Sequence, residues 1–283
     1  MTKPRLFLMM ASMIILGLCF SSSNLFADFG QVQQFVKDYN GHNDGTGYKF
    51  RIATDSGYSS VNGNVYQGET RVTFTGETPD LSAYSSKTSG NNYFQTFCIQ
   101  TQEYVETGKD YLSQLNLSGN ANSAKTSTRG TGSTTITEGT ATLYRLFATG
   151  ELNYKYTYGN DRAGDASILQ AALWKLQGQT TDKVGKLTSN DWKTNKYLAY
   201  LLTVDSDKDY WLSSYDPGKD TSGYAVLAMQ NTDIKFVGAQ DFLYLVENPS
   251  TDVPEPATVA LWLAAIGGTL AWRRKQQQRK TDC

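Results

Sequence analysis

Two apolar segments, one at each end, confine the folded part of this 283-residue chain to what lies between them. At the start, Lys3 and Arg5 form a basic region, Leu6 to Phe20 an apolar run, and Ser21 to Ala27 a small polar stretch that can be cut after Ala27. This three-part order is that of a secretory signal peptide, residues 1–27. The alternative, an anchor helix that stays in place, is disfavoured because the run falls short of the ~20 residues a span needs. Cys19 near its end would suit a lipoprotein signal, but bulky Leu18 stands where such a site wants a small residue. At the other end, Pro254 and Pro256 break any preceding structure. Thr258 to Trp272 then runs without a charge, and Arg273, Arg274 and Lys275 follow at once. A basic cluster holds its end of a helix on the cytoplasmic side. The uncharged run is marginal in length, but Trp262 and Trp272 are placed for the interfaces and snorkelling arginines extend its reach. A short C-terminal transmembrane helix over 258–272, with a basic end over 273–280, is expected.

The order of that tail is specific. Val253-Pro254-Glu255-Pro256, a short apolar segment and an Arg-rich end resemble the PEP-CTERM sorting signal, here residues 253–283. The resemblance implies an exported protein of a Gram-negative-type bacterium, often one that makes exopolysaccharide. It also implies recognition of Pro254, Glu255 and Pro256 by exosortase, a membrane protease-transpeptidase that processes the tail. The partners expected on this basis are exosortase and, before processing, the membrane. The expected location is the cell envelope or the extracellular matrix.

Residues 28–252 remain, enough for a real core. The net charge is −1, so nothing points to nucleic acid as a partner. Eighteen tyrosines, with frequent Gly, Ser, Thr and Asn, suit a β-rich extracellular domain with polar loops. Of the three cysteines, Cys19 lies in the signal and Cys283 in the tail, so the mature domain keeps only Cys98. An internal disulfide is then impossible. A leftover cysteine in a secreted protein indicates a reactive thiol or a covalent bond to something else.

Helical spacing marks 29–39, and 40–47 (NGHNDGTG) is a loop. Alternation marks strands over 48–53, 63–74 and 93–105, with a polar connection over 81–92. Residues 117–137 form a low-complexity polar loop. Short helices are expected over 141–148, 165–176 (capped by Asp165) and 192–204, and closing strands over 224–237 and 241–246. Strands first, helices in the middle and strands last predict an α+β domain. It is mainly antiparallel β, sandwich- or barrel-like, with a short helical insertion.

Alternation along 93–105 puts Tyr93, Phe97 and Ile99 on one face. Phe94, Thr96, Cys98, Gln100 and Gln102 fall on the other, so Cys98 is expected on the more polar face. In the 165–176 helix, Leu169, Ala172, Leu173 and Leu176 form the buried stripe, with Gln170 and Trp174 four apart beside it. Taken alone, Gln170 reads as a core-edge glutamine hydrogen-bonded to a strand. Taken together, Phe97-Cys98 and Leu169-Gln170-Ala171-Ala172-Leu173-Trp174 resemble the bacterial surface thioester domains, whose glutamine lies in a Thr-Gln-x-Ala-Ile-Trp motif. Gln170, Ala172 and Trp174 match, Leu173 is conservative, and Leu169 replaces the threonine. The resemblance implies a thioester between Cys98 and Gln170, shielded by Trp174 and Phe97, that captures an amine or hydroxyl of a protein or polysaccharide target. Such a domain is a single-use covalent adhesin, not a turnover enzyme, and takes no cofactor.

Other chemistries fare worse. A cysteine hydrolase needs a histidine base, and the only histidine, His42, lies in the glycine-rich loop. No zinc spacing exists. The run Asp205-Ser-Asp-Lys-Asp opens like a calcium loop, with Asp216 at the twelfth position. However, Tyr210 stands where the sharp turn wants glycine, so it reads as a solvated turn and no metal site is assigned. The rival function is a non-covalent structural or exopolysaccharide-associated matrix protein.

Overall fold

Alternation shapes the sheet. The computed structural model describes residues 25–52, 58–61, 65–99, 108–116, 120–121, 134–152, 155–158, 162–178, 192–233 and 238–248. In β1 (Tyr48–Ile52), β4 (Thr70–Phe74) and β7 (Asp110–Asn116), side chains alternate between core and surface. Phe50 of β1 lies opposite Phe74 of β4 and Tyr111 of β7, so one aromatic row crosses three strands. With β5 (Ser89–Gly90), β6 (Tyr93–Thr96), β10 (Tyr224–Asp233) and β11 (Gly238–Glu247), these strands form one sheet of order β11-β10-β7-β1-β4-β6-β5. All its pairings are antiparallel. Two ribbons stand apart: β2 (Tyr58–Val61) with β3 (Val65–Gly68), and β8 (Asn120–Ala121) with β9 (Thr134–Thr135).

The sheet curls until its edges meet. Beyond β6, the chain at 97–99 runs beside β11. Leu243 N–H donates to Phe97 O at 3.2 Å and Ile99 N–H to Asp241 O at 2.9 Å. Thr96 Oγ1 donates to Leu243 O from the same seam. The result is a half-barrel whose mouth is stitched by three residues.

Helices fill the concavity. α1 (Leu25–Gly45) carries Val32, Val36 and Tyr39 into the core, where the Tyr39 hydroxyl bonds Ser113 Oγ at 2.6 Å. It ends where His42 leaves helical geometry and Asn43, Asp44 and Gly45 turn left-handed. Gly47 follows at φ +75°, and a Cβ there would stand 1.8 Å from Ser113 O, so only glycine fits. α2 (Glu138–Ala148) is capped by Thr137, whose hydroxyl accepts from Thr140 N–H. It buries Leu143, Tyr144 and Phe147, and the Tyr144 hydroxyl donates to Leu243 O at 2.9 Å. α3 (Ala163–Leu176) packs on the β2–β3 ribbon, on α2 and on α4 (Lys196–Val204). α5 (Lys208–Leu212) is one short turn capped by Asp207. Residues 29–248 form one compact unit.

The antiparallel sheet with a helical middle is as the sequence predicts, and several boundaries differ. The strand expected over 63–74 is two strands in different sheets, parted at Glu69. The strand expected over 93–105 ends at Thr96, because the chain there changes partner from β4 to β11. β2, β5, β7, β8, β9 and α5 were not foreseen. Asp165 does not cap α3: it accepts from Thr157 N–H at 2.7 Å and pairs with Lys196. No helix among the described residues is long and apolar enough to cross a membrane. The expected signal peptide up to residue 24, Gln100, Gln102 and the tail at 253–283 lie outside the described residues.

Candidate functional site

The seam fixes the backbone of Cys98. Its flanking residues carry the hydrogen bonds to β11, so Cys98 and Phe242 face each other as a non-hydrogen-bonded pair. The N–H and C=O of Cys98 therefore point away from β11, where a further strand would lie. No strand takes that place among the described residues. The side chain of Gln170 does: its Oε1 accepts from Cys98 N–H at 3.0 Å, and its Nε2 donates to Cys98 O at 2.9 Å. A carboxamide has one acceptor and a donor in the spacing of a peptide group, so it substitutes for a neighbouring strand at one residue. Gln170 is 0% exposed.

α3 delivers that amide because its sequence is apolar almost all round. Ala166, Leu169, Ala171, Ala172, Leu173, Trp174 and Leu176 are buried, so the helix sinks far enough for Gln170 to reach the strand. Trp174, one turn further on, is 2% exposed, and its indole N–H has no hydrogen-bond partner among the described residues. Phe97 packs edge-to-face on Phe147 of α2 at 4.9 Å, within the core.

Cys98 is not on a polar face. It is 6% exposed and belongs to the core, as do Phe94 and Thr96 before it. Both faces are covered there, since the consecutive residues Thr96, Phe97, Cys98 and Ile99 are all buried. Burial pushes the Cys98 thiol from its ordinary 9.0 up to about 12. The Thr70 hydroxyl pulls the other way, although it makes no hydrogen bond of regular geometry. The thiol is thus neutral at physiological pH. A raised folded-state value means that the thiol's contribution to stability is complete below pH 9.0 and shrinks as pH rises towards 12. Compared with Cys98→Ala, the free-thiol form should lose about 1.4 kcal/mol per pH unit across that window, measured by urea melts. Protein whose sulfur is acylated should show no such slope.

A second cluster, missed in the sequence, sits beside Thr70. Glu69 is 1% exposed and accepts from the Tyr156 hydroxyl at 2.5 Å. Arg162 Nε lies 2.9 Å from Glu69 Oε1, an ion pair without regular hydrogen-bond geometry. Burial raises the Glu69 carboxyl above its usual range, against the lowering effect of Tyr156 and Arg162. The available signal was a carboxylate interrupting an otherwise strand-like run at 65–74.

The remaining candidates are placed simply. His42 stacks on Tyr48 at 4.0 Å, far in sequence from the thiol's neighbours. Asp205 and Asp207 accept backbone N–H groups two residues on, as turn and cap residues. No cluster of three or more metal-ligating side chains occurs among the described residues.

A family model for the PEP-CTERM protein-sorting motif matches residues 252–275. The match takes in Pro254, Glu255 and Pro256 and leaves the folded body untouched. No curated protein and no solved structure matches the chain significantly. The resemblance of the Cys98 and Gln170 segments to thioester domains therefore gains no support from relatives.

Proposed function

We propose that the folded body of this chain, whose sorting motif marks proteins exported to the cell envelope or beyond and implies recognition by exosortase, is a covalent attachment module, with a thioester between Cys98 Sγ and Gln170 Cδ. The observation that carries this reading is the pair of hydrogen bonds between the Gln170 amide and the Cys98 backbone, at 3.0 and 2.9 Å. Residues 72 apart in sequence are thereby locked together, with the sulfur one methylene from the backbone that grips the amide.

The chemistry follows from the groups present. Sulfur attacks Cδ and forms the S–C bond. Oε1 takes up negative charge while held by Cys98 N–H, which acts as a preorganised oxyanion donor. The thiol proton passes to Nε2, with the Thr70 hydroxyl as relay, the C–N bond breaks, and ammonia leaves. Because the thiol starts protonated, the proton needed by the leaving group is already present. The product is a better acyl donor than the amide, since sulfur donates poorly into the carbonyl. An amine or hydroxyl of a target then attacks Cδ and frees the thiol, leaving an isopeptide or ester. The module is consumed in one transfer, so it is an adhesin and not a turnover enzyme. Acylation also removes the hazard of an idle thiol in an oxidising compartment.

The same two bonds favour one other reading. Gln170 would be a strap that satisfies the Cys98 backbone at the barrel seam, in a structural matrix protein without covalent chemistry. Intact mass separates the two. The exported domain is expected to be lighter by one ammonia and to take up methylamine stoichiometrically, and Cys98→Ala and Gln170→Ala to do neither. An unmodified mass, with a thiol that reacts fully once the protein is unfolded, overturns the covalent reading and leaves the strap.

A further inference from the structure

Exposed apolar side chains are ordinary when scattered, but here they gather. Among the described residues, the large apolar side chains left exposed are Val204 at 60%, Tyr210 at 45% and Leu212 at 43%. All three lie between the end of α4 and the end of α5. We infer that this corner is a docking surface for a basic segment of a partner protein, one that sets arginine beside an aliphatic side chain.

The corner is braced from within. Trp211 is buried in α5, and its indole N–H donates to Asp205 O at 2.8 Å, which ties the loop after α4 back onto α5. Tyr210 and Leu212 flank Trp211 in sequence, and the Tyr210 ring leans edge-on against the indole at 4.8 Å. The start of α2 packs against the same turn. Glu138 N–H donates to Ser213 O at 3.0 Å, and a Cβ at Gly139 would stand 3.0 Å from Trp211 O. An aromatic anchor propped in this way loses little freedom on binding.

Charge selects the partner. Residues 204–220 carry the carboxylates of Asp205, Asp207, Asp209, Asp216 and Asp220 against the ammonium groups of Lys208 and Lys219. Asp216 is paired with Lys219, and Lys208 stands 5.8 Å from the Trp192 ring centre. Glu138 adds a further carboxylate from α2. Asp205 and Asp207 each accept a backbone N–H through Oδ1, and neither is ion-paired among the described residues. Burial raises the Tyr210 hydroxyl pKa, and Glu138, Asp205 and Asp220 raise it further, so the charge of these three reaches the exposed ring. A guanidinium fits this setting, because its flat face stacks on a tyrosine and its edge forks to carboxylates. An aliphatic neighbour would cover Val204 or Leu212. Other occupants fit worse. An anionic lipid surface or polysaccharide is repelled, and a second copy would bring the same carboxylates face to face.

The inference does not rest on the thioester, and Cys98→Ala removes that chemistry from the test. The full chain with this substitution should bind a labelled peptide of Arg-Leu-Ser repeats in fluorescence anisotropy. Peptides of Arg-Ser-Ser and of Glu-Leu-Ser repeats should bind at least about tenfold more weakly. Tyr210→Ser with Leu212→Ser should weaken the Arg-Leu-Ser peptide at least about tenfold, and so should Asp205→Asn with Asp209→Asn. All four side chains are exposed, and Asp205→Asn keeps an oxygen for Asp207 N–H, so the fold should persist. Binding that either pair leaves unchanged overturns the inference, as does equal binding of either control peptide or of spermine. So does a dimer in sedimentation that Tyr210→Ser with Leu212→Ser dissolves, which would make a second copy the occupant.

Discussion

Gln170→Ala is expected to destabilise the fold by about 3–6 kcal/mol, measured in the Cys98→Ala background where no covalent link can form. Truncation strands two buried backbone groups at once, the N–H and C=O of residue 98, which Gln170 alone satisfies among the described residues. Each stranded group costs about 1–3 kcal/mol, and the void left in the helix packing adds to this. Cys98→Ala by itself keeps both hydrogen bonds and should cost no more than about 2 kcal/mol. Gln170→Glu sharpens the contrast. As a carboxylic acid it can still accept from N–H and donate to C=O; as a carboxylate it can only accept, and it sets a buried charge against the Cys98 carbonyl. Its folded-state pKa must therefore rise. The variant's stability should be fullest below the usual carboxylate range of about 4.3 and fall as pH rises through the folded value. Urea melts at acidic and neutral pH check this. A Gln170→Ala penalty under about 1 kcal/mol would show that the seam does not depend on Gln170 and would undermine the covalent and strap readings together.

How much of this was legible follows from what short-range patterns can carry. β1 and β4 were visible because their alternation is hydrophobic on one face. β7 was not, because its buried face runs Tyr111, Ser113, Leu115. The serine breaks the pattern and is tolerated because its hydroxyl bonds Tyr39, 74 residues away, and Tyr48 O on the neighbouring strand. The Cys98–Gln170 pairing was anticipated from motifs on two segments, yet the environment of Cys98 was not. Alternation assigns faces within a sheet, but the chain leaves β6 at Thr96 and enters a seam enclosed on both sides. Asp165 looked like a helix cap because caps are local, whereas its actual partners, Thr157 and Lys196, lie before and well after the helix start. Glu69, Tyr156 and Arg162 could not be grouped beforehand, since a buried ion pair has no sequence period.

Glu69→Ala should be the other large effect, at about 3–5 kcal/mol, because it removes one partner from a buried charged cluster and leaves the rest. The Tyr156 hydroxyl would lose its acceptor, and Arg162, mostly buried, would face a void. Glu69→Gln keeps an oxygen for Tyr156 and should cost less. The pH dependence is opposite to that of an ordinary salt-bridged carboxylate. Burial outweighs the partners and raises the Glu69 pKa above 4.5, so its contribution is complete below that value and declines as pH rises through the folded-state value. The uncharged Glu69→Gln variant should therefore gain on the parent between acidic and neutral pH, which thermal melts at the two pH values would show. Glu69 and Thr70 are consecutive, and Thr70 is the hydroxyl that acts on the Cys98 thiol. If the proposed thioester forms, loosening the ion pair should accordingly slow the loss of ammonia as well, seen as a mixed intact mass in Glu69→Ala and a uniform one in Glu69→Gln. A stability gap between the parent and Glu69→Gln that stays constant with pH, or an alanine variant as stable as the parent, would mean that the carboxylate does not hold this corner of the site.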